Sequence, residues 1–155
     1  MKNSYALVTG ASSGIGLEIS NELAKQGFNV ILTARREDKL RNEAEKIQRK
    51  YNVAVDFISS DLSDIDAPNK IFNFCEQKNY QVDILVNNAG YGIKTSFHET
   101  PMEDEEKFIR VLGTSVIALS KAFLPKMMER NFGKIMIVSS VAAFAPPSSI
   151  QALYG

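Results

Sequence analysis

Between Thr9 and Gly16 the chain reads Thr-Gly-Ala-Ser-Ser-Gly-Ile-Gly, and these residue types at this spacing can cradle a phosphate. Gly10, Gly14 and Gly16 let the backbone bend sharply and come close to a ligand, with Ser12, Ser13 and Ile15 set between them. The apolar run Tyr5-Ala6-Leu7-Val8 precedes the turn and a helical pattern, Leu17 to Gln26, follows it. The free N–H groups and positive dipole end of a helix starting near Gly14 would therefore face a pyrophosphate. The spacing is G-x-x-x-G-x-G, so the general G-x-G-x-x-G dinucleotide fingerprint is not matched as written.

Three further clusters follow at the ends of apolar runs. Thr33-Ala34-Arg35-Arg36 closes the second run. A fold that prefers NAD usually places an acid here for the ribose 2′-hydroxyl; Ala34 and two arginines stand in its place. A guanidinium fork suits phosphate, so Arg35, with Arg36, favours NADP; the other reading is a pair of solvated charges opening a helix rich in Lys, Arg and Glu. Ser59-Ser60-Asp61-Leu62 ends the third run, where Asp61 and the Leu62 N–H can meet an adenine edge. Residues Asp61 to Asp64 can equally cap the next helix, through Ser63 or Asp64. Asn87-Asn88-Ala89-Gly90 ends the fourth, and its amides and small residues suit either a ligand-bracing turn or an ordinary one.

The elements that must position these groups alternate. Strands are expected near Tyr5 to Thr9, Asn29 to Thr33, Ala54 to Ser59, Ile84 to Asn87 and Lys134 to Ser139, each short and rich in Val, Ile or Leu. Helical patterns run from Gly14 to Gln26, Glu37 to Tyr51, Ala67 to Asn79 and Glu103 to Glu129, with Gly27 and Gly133 suited to helix-to-strand turns. Such alternation predicts one α/β domain over residues 1–155, a Rossmann-like doubly wound parallel sheet in the order 3-2-1-4-5 with its ligand beyond the carboxyl ends of the strands. Phe108, Leu112, Ser115, Leu119 and Phe123 fall at helical spacing and read as the core face of the long helix.

Eighteen basic and eighteen acidic side chains cancel, so no global field steers the chain toward nucleic acid or an anionic membrane. A single cysteine, Cys75, can form no internal disulfide, and a single histidine, His98, makes no metal site by itself, so metal catalysis is not expected. The N-terminus enters a strand without a long apolar segment, which predicts a cytoplasmic location.

The glycine stretch, Asp61-Leu62, Asn87 to Gly90, and Ser139-Ser140 with Tyr154 resemble, in order and spacing, the short-chain dehydrogenase/reductase family. The resemblance covers nearly the whole chain. It implies hydride transfer between a nicotinamide dinucleotide and a small-molecule carbonyl or alcohol, with the glycine stretch on the pyrophosphate and Asp61 at the adenine. Asn88, Ala89 and Gly90 would support the cofactor pocket. Ser140 would hold the substrate oxygen and Tyr154 would exchange the proton, with Ser139 as the neighbouring candidate. The resemblance also implies a homo-oligomer through the helix from Glu103 to Leu124.

The Ser140-to-Tyr154 gap is one residue longer than the family usually has, a difference that Pro146 to Ser149 can absorb, and the match departs more seriously in two other places. The lysine of the Tyr-x-x-x-Lys motif falls beyond Gly155, as do the family's later elements, so the fifth strand is expected to present an open edge. Counting back from Leu124-Pro125, the family's catalytic Asn position holds Leu112, which cannot hold a water. Two functions of different class therefore fit, an NADP-dependent oxidoreductase or a non-catalytic dinucleotide-binding or interaction fragment, and the 155-residue chain alone is expected to be inactive. Tyr91-Gly92-Ile93 and Phe97, with His98 nearby, are candidates to line a substrate pocket or to sit in a solvent-facing loop.

Overall fold

The computed structural model describes residues 4–141. Five parallel strands form one sheet in the order β3-β2-β1-β4-β5. They are β1 (Ser4–Thr9), β2 (Asn29–Ala34), β3 (Val55–Ser59), β4 (Gln81–Asn87) and β5 (Lys134–Ile137). Helices α1 (Gly14–Lys25), α2 (Glu37–Tyr51), α3 (Ala67–Gln77), α4 (Met102–Ile109) and α5 (Ser115–Glu129) connect them. The predicted order and element sequence are those observed.

The alternation of side chains along β1 builds a core on each face of the sheet. Tyr5 and Leu7 point into one cluster with Ile71, Leu85, Leu119 and Phe123, beneath α3 and α5. Ala6 and Val8 point into the other with Ala24, Leu40 and Ile47, beneath α1 and α2. Both faces being covered explains why the central strands carry near-continuous apolar runs.

Strand β4 begins three residues earlier than its apolar run, at Gln81. Asp83 interrupts that run, yet it is only 1% exposed. A buried carboxylate needs partners, and here Gln81 Nε2 donates to both of its oxygens at 3.1 Å while Arg130 Nη2 donates at 3.1 Å. The Arg130 guanidinium also reaches the Val82 carbonyl, tying the end of α5 to the base of β4.

Helix ends close by two devices. Gly27 takes φ +90° after α1, but asparagines occupy the left-handed position after α2, α3 and α5, at Asn52, Asn79 and Asn131. Gly133 serves otherwise: a Cβ there would lie 2.4 Å from Met127 Cγ, so close approach rather than turn geometry requires glycine.

The long predicted helix is continuous in space but contains a π turn at Arg110–Thr114 between α4 and α5. Across it Val111, not Leu112, takes the core position; Phe108, Val111, Ser115, Leu119, Phe123 and Met127 form the buried face, and Leu112 is only half-buried. Gly113 is a poor helix former, and the Ser115 hydroxyl donates to the Val111 carbonyl at 2.8 Å within the widened turn. The run Met102–Glu129 is long and apolar enough to cross a membrane by length and composition; one stripe of it packs on the sheet, while Ile109, Ile117, Leu124 and Met128 stay exposed. Cys75 is fully buried, and burial, with the Glu76 and Asp56 charges nearby, pushes its thiol up to about 12.

At the carboxyl end of the sheet, Thr9 joins β1 to the segment after β4. Its hydroxyl donates to the Val86 carbonyl at 3.3 Å and accepts from the Asn88 and Ala89 N–H groups, each at 2.9 Å. Thr9→Val keeps the shape and removes the acceptor, leaving two N–H groups unsatisfied, so it should lower unfolding stability by about 1–3 kcal/mol. Urea denaturation of the two proteins checks this; an unchanged midpoint would show that the hydroxyl is not a structural tie.

Candidate functional site

A cleft of about 440 Å³ opens beyond the carboxyl ends of β1, β2, β3 and β4. Its first wall is the turn after β1. Gly10 and Gly14 have φ of +67° and +58°, a region that L side chains rarely adopt. A Cβ at Gly10 would lie 2.9 Å from Ala89 Cα, and one at Gly16 would lie 2.4 Å from Asn88 Nδ2 and 2.6 Å from the Gly10 carbonyl oxygen. Glycine is thus required where the turn presses on the segment after β4. Asn88 Nδ2 also donates to the Thr9 carbonyl at 2.9 Å, so its amide lies within this contact.

Helix α1 begins at Gly14, and its N-cap, Ser13, makes no side-chain capping bond. Nothing lies within 4 Å of the position a Gly14 side chain would take. The helix therefore presents its first N–H groups without a protein cap, beside a turn whose Gly10, Ser12 and Ser13 line the cleft. Ile15 is 64% exposed, and neither it nor Gly14, Gly16 or Asn88 lines the cleft; Gly16 and Asn88 meet each other beneath it.

Arg35 and Arg36 follow β2 and form the second wall. Arg36 donates to the Ser12 hydroxyl at a long 3.5 Å, linking the arginine loop to the glycine turn. The Arg35 side chain makes no hydrogen bond or ion pair with the described residues, and no carboxylate stands at Ala34 where β2 ends. An uncommitted guanidinium there is a ready anion partner.

Asp61 and Leu62 supply the third wall with Ser60 and Ser63. The Asp61 carboxylate accepts from the Ser63 N–H at 2.9 Å, which closes a local turn. It does not cap α3, and neither do Ser63 and Asp64: the N-cap there is Asp66, without a side-chain bond. Asp64 instead accepts from the Asp66 N–H and pairs with Lys70, whose hydrogen bond holds its carboxyl below the usual range.

Ala89 and Gly90 line the floor, and the fourth wall comes from Tyr91, Lys107 and Val111. The sequence pattern gave no signal for Lys107 or Val111 in the cleft, because both read as ordinary positions of a helix remote in the chain. Tyr91 lines this cleft with Arg35 and Asp61. Beside the floor, a Cβ on Gly90 would lie 2.9 Å from Leu112 Cδ2, so Leu112 covers Gly90. Asn87 is buried beneath, its Nδ2 donating to the Ser120 hydroxyl at 3.3 Å.

Ser140 is half-buried beyond the end of β5, next to exposed Ser139, and neither belongs to the cleft lining. Tyr154 lies outside the described residues. The edge strand β5 exposes Met136 and Ile137 at 48% and 60%. Among the described residues no group of three or more His, Cys, Asp or Glu side chains is placed to hold a metal ion.

Comparison with known proteins agrees with this architecture. The profile of the short chain dehydrogenase family matches residues 4–155. A very-long-chain 3-oxoacyl-CoA reductase of Ajellomyces capsulatus is 35% identical over 153 residues, covering 94% of this chain and 44% of that protein. An uncharacterized oxidoreductase of Staphylococcus saprophyticus is 33% identical, over 93% of this chain and 62% of its own length. The chain thus spans about half the length of the curated relatives it matches. Among solved structures, a short-chain dehydrogenase from Sphingobium yanoikuyae in complex with NADPH superposes with a TM-score of 0.89 at 28% identity, covering 97% of this chain and 58% of that one. A metagenomic short-chain oxidoreductase in complex with NADP gives 0.91 at 32% identity, over 99% and 69%. By the profile match over nearly its full length, the chain belongs to the short-chain dehydrogenase/reductase family.

Proposed function

We propose that these residues carry the dinucleotide-binding function of an NADP-dependent oxidoreductase acting between a small-molecule carbonyl and the corresponding alcohol. The observation that carries the reading is the uncommitted Arg35 guanidinium at the end of a β2 that lacks an acid. It lines one cleft with Gly10, Ser12 and Ser13 of the glycine turn, beside the uncapped start of α1. In this reading Gly10, Ser12, Ser13, Gly14, Ile15 and Gly16 hold the pyrophosphate through backbone N–H groups and close approach. Arg35, flanked by Arg36, holds the 2′-phosphate; Asp61 and Leu62 face the adenine; Asn88, Ala89 and Gly90 support the sugar side. NADPH and NADP in the two structural relatives support this choice of cofactor.

A nicotinamide dinucleotide supplies a hydride donor or acceptor when bound. The protein's share is to orient it and to handle the substrate proton, roles we assign to Ser140 for the substrate oxygen and Tyr154 for the proton. A second reading, a binding protein without catalysis, is favoured by one specific observation. Leu112 lies against Gly90 at the position the family gives to Asn, and a leucine side chain can neither hold a water nor pass a proton.

Two measurements test the cofactor assignment and the role given to Leu112. Arg35→Ala should weaken NADPH binding at least about tenfold, the loss of one charge-assisted contact, with NADH changed less than about twofold; equal loss of both would remove Arg35 from the 2′-phosphate. The purified 155-residue chain should show no NADPH oxidation with small ketones or aldehydes. Measurable turnover would overturn the expectation that Leu112 interrupts the proton path.

A further inference from the structure

The cleft lining is chemically divided. Gly10, Ser12 and Ser13 offer backbone and hydroxyl groups of the kind that suit a phosphate. Leu62, Tyr91 and Val111 are the larger apolar groups, and they come from three separate segments, after β3, after β4 and in the π turn. Tyr91 is the only aromatic side chain among the described lining residues, and at 37% it is as exposed as a surface ring. It is nevertheless held: its ring meets Phe108 edge-on, with centroids 5.4 Å apart and planes at 87°. Phe108 is itself 2% exposed, so the brace is part of the core. An exposed aromatic face kept in one orientation by a buried partner, inside a cleft, is suited to receive a flat ring.

We propose that Tyr91 is a specificity residue for the adenosine half of the ligand, its ring forming the purine-facing wall opposite Arg35. This rests on the dinucleotide reading above and adds to it a residue outside the glycine, Arg and Asp motifs. Burial, with the Asp104 carboxylate nearby, raises the Tyr91 phenol above its ordinary pKa, while Arg35 and Lys107 oppose the rise. The phenol therefore stays neutral at physiological pH, and the ring presents no charge to a purine.

The test is calorimetric titration of wild-type protein, Tyr91→Ala, Tyr91→Leu and Tyr91→Phe with three probes: NADPH, adenosine 2′,5′-bisphosphate, and reduced nicotinamide mononucleotide, which lacks the adenosine. Tyr91→Ala should lose about tenfold in affinity for the first two, the usual scale of a base on an aromatic face, and stay within about twofold for the mononucleotide. Tyr91→Phe should stay near wild type. Tyr91→Leu, which keeps apolar bulk against Phe108, should lose affinity like alanine and guards against a folding defect. Unchanged bisphosphate binding in Tyr91→Ala and Tyr91→Leu, or equal loss of the mononucleotide, would overturn the assignment while leaving the dinucleotide reading intact. Failure of wild-type protein to bind NADPH or the bisphosphate at all would overturn both.

Discussion

The site depends on the contact between the end of β1 and the segment that follows β4. One Thr9 hydroxyl accepts from two successive N–H groups, the Asn88 side chain returns a bond to the Thr9 carbonyl, and Gly10 and Gly16 close on the same segment with no room for a Cβ. These bonds are formed where backbone groups leaving a strand end would otherwise be orphaned, and such groups are costly to bury. The satisfied arrangement therefore has one geometry. That geometry leaves the first turn of α1 facing open space and brings β2 and β3 to the same rim through the pairings of β1 with β2 and β2 with β3.

Charge is distributed differently at the two ends of the sheet. Around the base, ionic groups are mutually committed: Asp83 with Arg130, Glu76 with Lys126, and Asp56 with Lys78 and the Tyr80 hydroxyl. Burial alone would raise Asp56, but the Lys78 and Tyr80 hydrogen bonds outweigh it and its carboxyl lies below the usual range. At the cleft, Arg35 has no such partner among the described residues. In the cleft, Arg36 likewise meets only the Ser12 hydroxyl, so two guanidinium groups line it without a carboxylate partner among those residues. Their place beside Gly10, Ser12 and Ser13 is the reason to read the cleft as a site rather than as a gap between loops.

Much of this was legible in the chain because local and global signals agree. The strand order followed from alternation of apolar runs with helical periodicity, and the glycine turn from its position between the two. The start of β4 was less legible because Asp83 breaks the apolar run, and only the fold shows that Gln81 and Arg130 satisfy it. The π turn was hidden for a similar reason. Val111 and Leu112 are both apolar and adjacent, so periodicity could not decide which faces the core, and the widened turn gives that place to Val111. Lys107 and Val111 reach the cleft because the π turn lies against the segments that follow β3 and β4, where Arg110 donates to the Ser63 carbonyl and Leu112 meets Gly90. No spacing rule announces a contact made by a helix so distant in sequence.

The most direct test of the central claim is a ¹⁵N-resolved amide spectrum of the protein recorded while NADPH is added. The account requires the Gly14, Ile15 and Gly16 amides at the start of α1 to shift as the pyrophosphate takes the uncapped N–H groups, together with the Arg35 side-chain signal. Binding that left those amides in place and moved others, such as those along β5 or the outer face of α5, would contradict it.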